Sequence, residues 1–281
     1  MKTIRSFQAF ACVAACLAFS QPAQADFKSN ARKVFADHAG SVFGIRGLLE
    51  MTVTMNGQQA GSQERPLWSN AAVIDEGLLV VAYKSLKPDV GTNMGNRPGL
   101  EIETELSELK LIDQSGEEYD AKLVLHDEVL GVAFVALDPG GENAADFSAK
   151  ALDFSKDAEF QHLQELIGIG RMPENMRFQA QLRAGEVTAI VERPRQLVHV
   201  TGIGASSPVF DEAGHVVGVI VVPKTKEGEA PLPLLLPSKY IRNLVPQAKE
   251  KQAGLAEGGE EDAAPDAGGD APPTEDGEPA E

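Results

Sequence analysis

The stretch AAVIDEGLLVVA, residues 71–82, contains two short apolar runs separated by the turn sequence Asp75-Glu76-Gly77. An apolar run of four or five residues that ends at a turn signal is typical of a buried strand. Glycine supplies the positive φ that tight turns require. The stretch therefore predicts two strands, 71–74 and 78–82, joined by a short turn.

Similar apolar runs recur along the chain, and turn sequences rich in Asp and Gly lie between them at 113–116, 138–141 and 211–214. Regularly spaced short strands with few helices are typical of an antiparallel sandwich or barrel, rather than of alternating strands and helices. The first predicted strand begins at Ser41. The remaining predicted strands cover 109–112, 121–125, 132–137, 166–169, 185–191, 197–200 and 216–222.

Two helices and one long loop are expected beside the strands. Residues 30–38 predict a short N-terminal helix, because their apolar side chains recur on one side. Residues 237–245 predict a closing helix with Ser238 as its N-cap. Residues 87–108 are rich in Pro, Gly and Asn at their start, which predicts a loop.

The net charge of −17 is concentrated at the C-terminal end of the chain. Residues 257–281 contain ten Asp and Glu residues and no Lys or Arg. A segment of Ala, Gly, Pro and acidic residues cannot bury enough apolar surface to offset its chain entropy, so we expect a disordered acidic tail over 249–281. Lys and Arg are not clustered elsewhere, and the sequence therefore disfavours nucleic-acid binding.

The N-terminal segment has the features of an export signal. Lys2 and Arg5 precede an apolar run, and small residues ending at Ala25 favour cleavage there. This run is too short for a transmembrane helix, and no later run approaches the roughly 20 apolar residues that a bilayer span needs. We therefore expect a signal peptide at 1–25, a folded domain at 26–248 and a periplasmic or extracellular location.

Both cysteines of the chain, Cys12 and Cys16, lie inside this leader. Cleavage after Ala25 would leave a mature protein without a disulfide, a thiol nucleophile or a thiolate metal ligand. Residues 13–16 also fit a lipoprotein cleavage box, and the alternative is therefore a lipid anchor on Cys16. The histidines lack metal-ligand spacing, and we expect neither a metal nor a cofactor.

Four stretches of the chain have a pattern and an order that one protein family shares. They are residues 68–86, 121–137, 166–189 and 202–219. Together they resemble the protease domain of trypsin-like serine proteases of the HtrA/Deg type. The resemblance implies an all-β fold of two packed antiparallel β-barrels, with a short N-terminal helix and a C-terminal helix.

The resemblance also implies where the catalytic residues would stand, and this chain has other residues there. Lys84 occupies the position of the catalytic histidine, and Gly131 occupies that of the aspartate. An ungapped alignment places Ala205 at the nucleophile, whereas a one-residue deletion places Ser206 there. A serine hydroxyl is a poor nucleophile until an oriented base takes its proton. We therefore expect a degenerate triad.

Three functional hypotheses remain open from the sequence. The first is a protease homologue that does not cleave and binds a protein or peptide, with an extended peptide added to a strand edge in the cleft between the barrels. The second is an active serine peptidase with a Ser206/Lys84 dyad, which requires a buried, neutral Lys84. The third places the partner contacts on the 87–108 loop, with the barrels as support. The scattered histidines offer no other catalytic group: His38, His126, His162, His199 and His215.

Overall fold

Two closed antiparallel barrels of six strands each form the body of the computed structural model, which describes residues 27–88, 99–224 and 230–258. The first barrel has the strand order β1-β2-β3-β6-β5-β4, and the second has the order β10-β11-β12-β9-β8-β7. This arrangement is the fold of trypsin-like proteases, and it confirms the predicted fold class.

The strands of the first barrel are β1 (Val42–Met55), β2 (Gln58–Asp75), β3 (Leu78–Ala82), β4 (Leu100–Ile112), β5 (Glu118–Asp127) and β6 (Val132–Leu137). Those of the second barrel are β7 (Glu165–Arg171), β8 (Ala180–Val191), β9 (Leu197–Val200), β10 (Pro208–Phe210), β11 (Val216–Val221) and β12 (Leu234–Pro237). The helices are α1 (Phe27–His38), α2 (Tyr83–Leu86) and α3 (Ser238–Gly258).

Strand β3 shows why the sequence has short continuous apolar runs rather than an apolar and polar alternation. Successive side chains of a strand point to opposite faces. Leu79 and Val81 belong to the core inside the first barrel. Leu78, Val80 and Ala82 belong to a second core, which lies between the barrels. Both faces of the strand are therefore buried, and every position is apolar.

Helices α1 and α3 help to close the core between the barrels. Ala31 and Val34 of α1 and Ile241 and Ala248 of α3 are buried in the same cluster as Ile167 of β7. The second barrel has its own internal core, which includes Leu166, Val187, Val198, Val209, Ile220 and Leu235. Among the described residues, no helix is both long and apolar enough to cross a membrane.

Strands β1, β2 and β4 continue past the rim of the first barrel as a three-stranded sheet. We call residues 49–55, 58–65 and 100–106 the wing. Outside the barrel β1 pairs with both neighbours, whereas β2 meets β3 only from Ala72 onwards and β4 meets β5 only from Lys110 onwards. The wing thus has two outer strands, β2 and β4.

The wing corrects the loop predicted at 87–108. Residues 100–108 form most of β4 and pair with β1, while residues 89–98 lie outside the described part of the chain. Between Leu100 and Leu106 apolar or small residues alternate with glutamates, a period of two that indicates a strand. The Pro and Gly residues that precede this stretch obscured the signal. Strands β10 and β12 and the outer half of β2 were also not predicted.

The C-terminal helix is longer than the sequence indicates. It continues through Pro246 to Gly258, and the tail predicted from residue 249 therefore cannot begin before residue 259. The reason is packing: Ala248 is buried, and Leu255 contacts the core between the barrels. In addition, the Gln252 side-chain amide donates to the Glu76 carbonyl at 2.9 Å. These contacts outweigh the hydrogen bond that proline removes.

Ser238 begins α3 but does not act as the predicted N-cap. Its hydroxyl donates to the carbonyl of Val216 at 2.9 Å, whereas a capping hydroxyl would accept from an amide of its own helix. The side chain therefore fastens α3 to β11.

A buried arginine joins the second barrel to the start of the first. The Arg171 guanidinium donates from Nε to the Val42 carbonyl at 2.6 Å, from Nη1 to Phe178 at 3.2 Å and from Nη2 to Ala39 at 3.0 Å. The residue is 4% exposed, and burial lowers the pKa of its guanidinium. Three backbone carbonyls from two parts of the fold thus depend on one side chain.

We predict that Arg171→Met lowers the free energy of unfolding by about 2 kcal/mol, because it leaves one buried and two partly buried carbonyls without this donor. Urea denaturation measures the change. Arg183→Met, at an exposed position of the same barrel, is the control and should stay within about 0.5 kcal/mol of the wild type. Equal stability of the two variants would show that Arg171 does not join the barrels.

Candidate functional site

The positions at which the sequence predicts a degenerate triad come together at the interface between the barrels. Lys84 lies on α2, directly after β3, and Gly131 ends the turn before β6. The Tyr83 amide donates to the Gly131 carbonyl at 2.9 Å and so fixes α2 against that turn. Ser206 approaches from the second barrel, on the loop before β10, and contacts the amide of Ala82. The fold thus brings the three positions to one region between the barrels.

The Ser206 hydroxyl is buried in a network of hydroxyl and amide groups. Its oxygen accepts from the Ser69 hydroxyl at 2.9 Å and from the Ala82 amide at 3.1 Å. It donates to the Ser85 hydroxyl at 3.0 Å. Ser206 is 0% exposed. One donor and two acceptor lone pairs are all that a hydroxyl has, and all are in use.

This network contains no group that can take a proton from Ser206. An active serine nucleophile needs a neighbouring base, and its partners here are hydroxyls and a backbone amide. The backbone amide of Ser206 is also occupied, because it donates to the Ile220 carbonyl at 2.7 Å. In trypsin-like proteases the nucleophile's own amide is one of the oxyanion donors. A hydroxyl without solvent contact cannot reach a substrate.

The backbone of Ser206 has the conformation of a glycine. Its φ is +64°, in the left-handed region that residues with a Cβ adopt at a cost of roughly 1 kcal/mol. The next residue, Ser207, is buried, and its carbonyl accepts from the Ile220 amide at 3.0 Å. The loop is thus held against β11 by two hydrogen bonds to Ile220, one from the Ser206 amide and one to the Ser207 carbonyl. Ala205, which precedes it, contributes only a methyl group.

Ser85, which sequence reasoning missed, is the α2 residue that contacts Ser206. Lys84 is the preceding residue and is half-buried. Among the described residues, the partners of the Ser206 hydroxyl do not include Lys84. Ser85 lies between Tyr83 and Leu86, which are both buried, and this position beside buried residues is the signal that could have identified it.

Gly131 leaves no room for a side chain. Its φ is +72°, and its amide donates to the Asp127 carbonyl at 2.8 Å. A Cβ added at Gly131 would lie 2.6 Å from the carbonyl carbon of Val222 and 2.8 Å from the Cα of Pro223. Real Cβ atoms essentially never come so close to backbone atoms. The second barrel therefore occupies the space that a side chain at position 131 would need.

The same segment of the second barrel also contacts Glu128, in the turn at 127–131. The Lys224 amide donates to the Glu128 carbonyl at 3.2 Å, and the Lys224 ammonium lies 3.5 Å from a Glu128 carboxylate oxygen. The backbone at residues 222–224 is therefore engaged with the turn at 127–131. A peptide added to this edge would first have to displace these contacts.

The five histidines lie apart from the serine network. His126 is exposed and stacks on Tyr83 at 4.5 Å, while the neighbouring Asp127 accepts the Leu130 amide. His38 stacks on Phe210, and burial lowers the pKa of its imidazole. The others lie on the surface, with His215 paired to Asp211, His199 bonded to Thr188 and His162 exposed. Within the described ranges, no cluster of three or more His, Cys, Asp or Glu side chains could hold a metal.

Comparison with known proteins identifies the family. The model of the trypsin-like peptidase domain matches residues 70–219, which is more than half of the chain. The chain therefore belongs to the family of trypsin-like peptidase domains. No curated protein sequence is detectably similar to it.

Solved structures of HtrA/Deg proteases have the same fold. The crystal structure of Deg5 has a TM-score of 0.50 and 15% sequence identity, and the match covers 78% of this chain and 93% of Deg5. The HtrA-type protease AlgW with a decapeptide has a TM-score of 0.52 and 13% identity, with 79% of this chain and 68% of AlgW covered. A variant of AlgW with a tripeptide is similar, at a TM-score of 0.50 and 13% identity, covering 76% and 62% of the two chains.

We predict that Gly131→Asp, which restores the family's acid, destabilises the fold by at least about 3 kcal/mol. The new side chain would have to displace the backbone of residues 222–223, and it would also strain a positive φ. Gly57→Asp is the matched control, because Gly57 has a φ of +77° and nothing within 4 Å of its added Cβ. That variant should lose only about 1 kcal/mol. Thermal and urea denaturation compare the two, and equal losses would contradict the steric argument.

Proposed function

We propose that this protein is an exported homologue of trypsin-like serine proteases that does not cleave peptides and acts as a protein- or peptide-binding scaffold. The observation that carries the proposal is the buried Ser206 hydroxyl, whose donor and acceptors are all used by Ser69, Ala82 and Ser85. A hydroxyl in this state is a structural group.

The ungapped alignment is the better assignment of the nucleophile position. Ser206 has a positive φ and Ser207 lies directly before Pro208, which suits residues that replace the two glycines of the family's nucleophile loop. Ala205 then stands at the nucleophile. On this assignment Ala205, Gly131 and the α2 turn provide no nucleophile, no orienting acid and no imidazole.

Peptide binding can outlast the loss of catalysis because it depends on other parts of the fold. Strand edges bind extended peptides through backbone hydrogen bonds, and no triad takes part. The similar structure of AlgW holds a decapeptide, which makes a peptide the natural class of partner to test for this chain.

The basic and apolar leader at 1–25 supports export to the periplasm or beyond, and the alternative is a lipid anchor on Cys16.

The active Ser206/Lys84 peptidase is the competing function, and labelling separates the two. We expect no reaction of the wild-type protein with a fluorophosphonate, under conditions that label trypsin fully, and no cleavage of a peptide library. The reason is that Ser206 has neither a base nor access to solvent.

The variant Ser206→Ala makes this test sharper, because the two functions predict opposite results for it. If the serine is structural, the substitution lowers the free energy of unfolding by about 1–3 kcal/mol, since the Ala82 amide and two hydroxyls lose their partner. Peptide hydrolysis by the variant then stays at the same background level as with the wild type. Fluorophosphonate labelling of the wild type that disappears in Ser206→Ala, and also in Lys84→Met, would establish the peptidase instead.

A further inference from the structure

The outer part of the wing has an apolar patch whose residues belong to none of the three cores. In the register of β1 and β4, Val53 lies opposite Ile102, and Met55 lies opposite Leu100. Directly opposite residues share a face, so these side chains form one patch together with Met51. Met55 is 44% exposed, and the others are partly exposed. This patch continues the interior of the first barrel past its rim, where Leu106 still packs on the core.

The other face of the wing is acidic. Glu50 on β1 lies opposite Glu105 on β4 and also opposite Glu64 on β2, which sets three carboxylates in a row across the sheet. Glu103 and Glu101 follow along β4, opposite Thr52 and Thr54. None of the five glutamates takes part in an ion pair within the described part of the chain: Glu50, Glu64, Glu101, Glu103 and Glu105.

This arrangement carries an uncompensated repulsion. Like charges directly opposite each other on neighbouring strands destabilise a sheet by up to about 1 kcal/mol per pair. A positively charged side chain beside Glu105 would offset the repulsion between Glu105 and Glu50, and others beside Glu101 and Glu103 would add attraction. The charge of the wing therefore determines which partner suits it.

Strand β4 also offers a backbone edge. Residues 100–106 pair with β1 on one side, and β5 begins to pair with β4 only at Lys110, opposite Asp120. Among the described residues, no strand lies on the other side of residues 100–106. An open edge of this kind is a template for an added strand, and alternate side chains of that strand then fall on the two faces of the sheet.

We propose that the outer edge of β4 binds an extended segment of another protein in which basic and apolar residues alternate. The basic side chains would lie beside Glu101, Glu103 and Glu105, and the apolar side chains would lie beside Leu100 and Ile102. The inference names the partner chemistry for the scaffold described above and rests on its binding role. It places the peptide on the wing, away from the interface between the barrels.

A second copy of the chain fits the wing less well. An antiparallel pairing of β4 with itself sets glutamate against glutamate, or else sets the glutamates of one copy among the apolar residues of the other. Packing of two apolar faces would cover only about 300 Å² per copy, because the face is about seven residues long and three strands wide. A stable interface covers roughly 800 Å² per partner.

The test uses the full chain and three short fluorescent peptides, whose binding is measured by fluorescence anisotropy. KVKVKVK alternates basic and apolar residues, EVEVEVE reverses the charge, and KKKKVVV keeps the first composition without its alternation. We expect KVKVKVK to bind at least about tenfold more tightly than the other two, and to weaken with added salt because the attraction is exposed to solvent.

Two variants and a control locate the site. Reversal of charge at Glu101→Lys, Glu103→Lys and Glu105→Lys together should exchange the preference from KVKVKVK to EVEVEVE. Ile102→Lys places a charge on the apolar face and should abolish binding, while circular dichroism verifies its fold. Glu250→Lys, at an exposed position of α3, makes the same change of charge as one wing substitution and should bind like the wild type.

Equal binding of KVKVKVK by the wild type and the triple variant would overturn the inference, as would equal affinity for KVKVKVK and KKKKVVV. A concentration-dependent dimer in sedimentation that Ile102→Lys abolishes would assign the wing to a second copy and also overturn it. Mass spectrometry of the bound KVKVKVK reports cleavage separately. Cleaved peptide would contradict the proposed function without affecting the site on the wing.

Discussion

One buried hydroxyl makes the central polar contact of the barrel interface. Ser206 reaches from the second barrel to the first, where it satisfies the Ala82 amide and joins Ser69 and Ser85. A polar group buried in this way contributes to stability only while its partners remain in place. The loop that carries Ser206 is therefore part of a closed contact between the two barrels.

The contact between Gly131 and the second barrel has the same effect from the other side. Without a side chain at this position, the backbone of residues 222–223 packs directly on the turn before β6. Room for a carboxylate and a tight fit between the barrels exclude each other. The glycine at position 131 and the close approach of the two barrels therefore depend on each other.

The sequence was sufficient for the barrels but not for the state of the site. Runs such as 78–82 and 132–137 are apolar on both faces, and they predicted β3 and β6 with the observed bounds. The contacts of Ser206 could not be predicted, because Ser69, Ser85 and Ser206 are distant in sequence and a buried serine resembles a turn serine. The outer part of β4 was missed because the Pro and Gly residues before it outweighed its strand period. The end of α3 was missed because Pro246 indicated the end of a helix that tertiary packing extends.

Amide hydrogen exchange at Ala82, followed by nuclear magnetic resonance, measures the central contact most directly. The account predicts that the Ala82 amide is protected in the wild type and exchanges at least about tenfold faster in Ser206→Ala, because its acceptor is removed. Val80, in the middle of β3, should change much less. An Ala82 amide that exchanges rapidly in the wild type and is unaffected by Ser206→Ala would contradict the account.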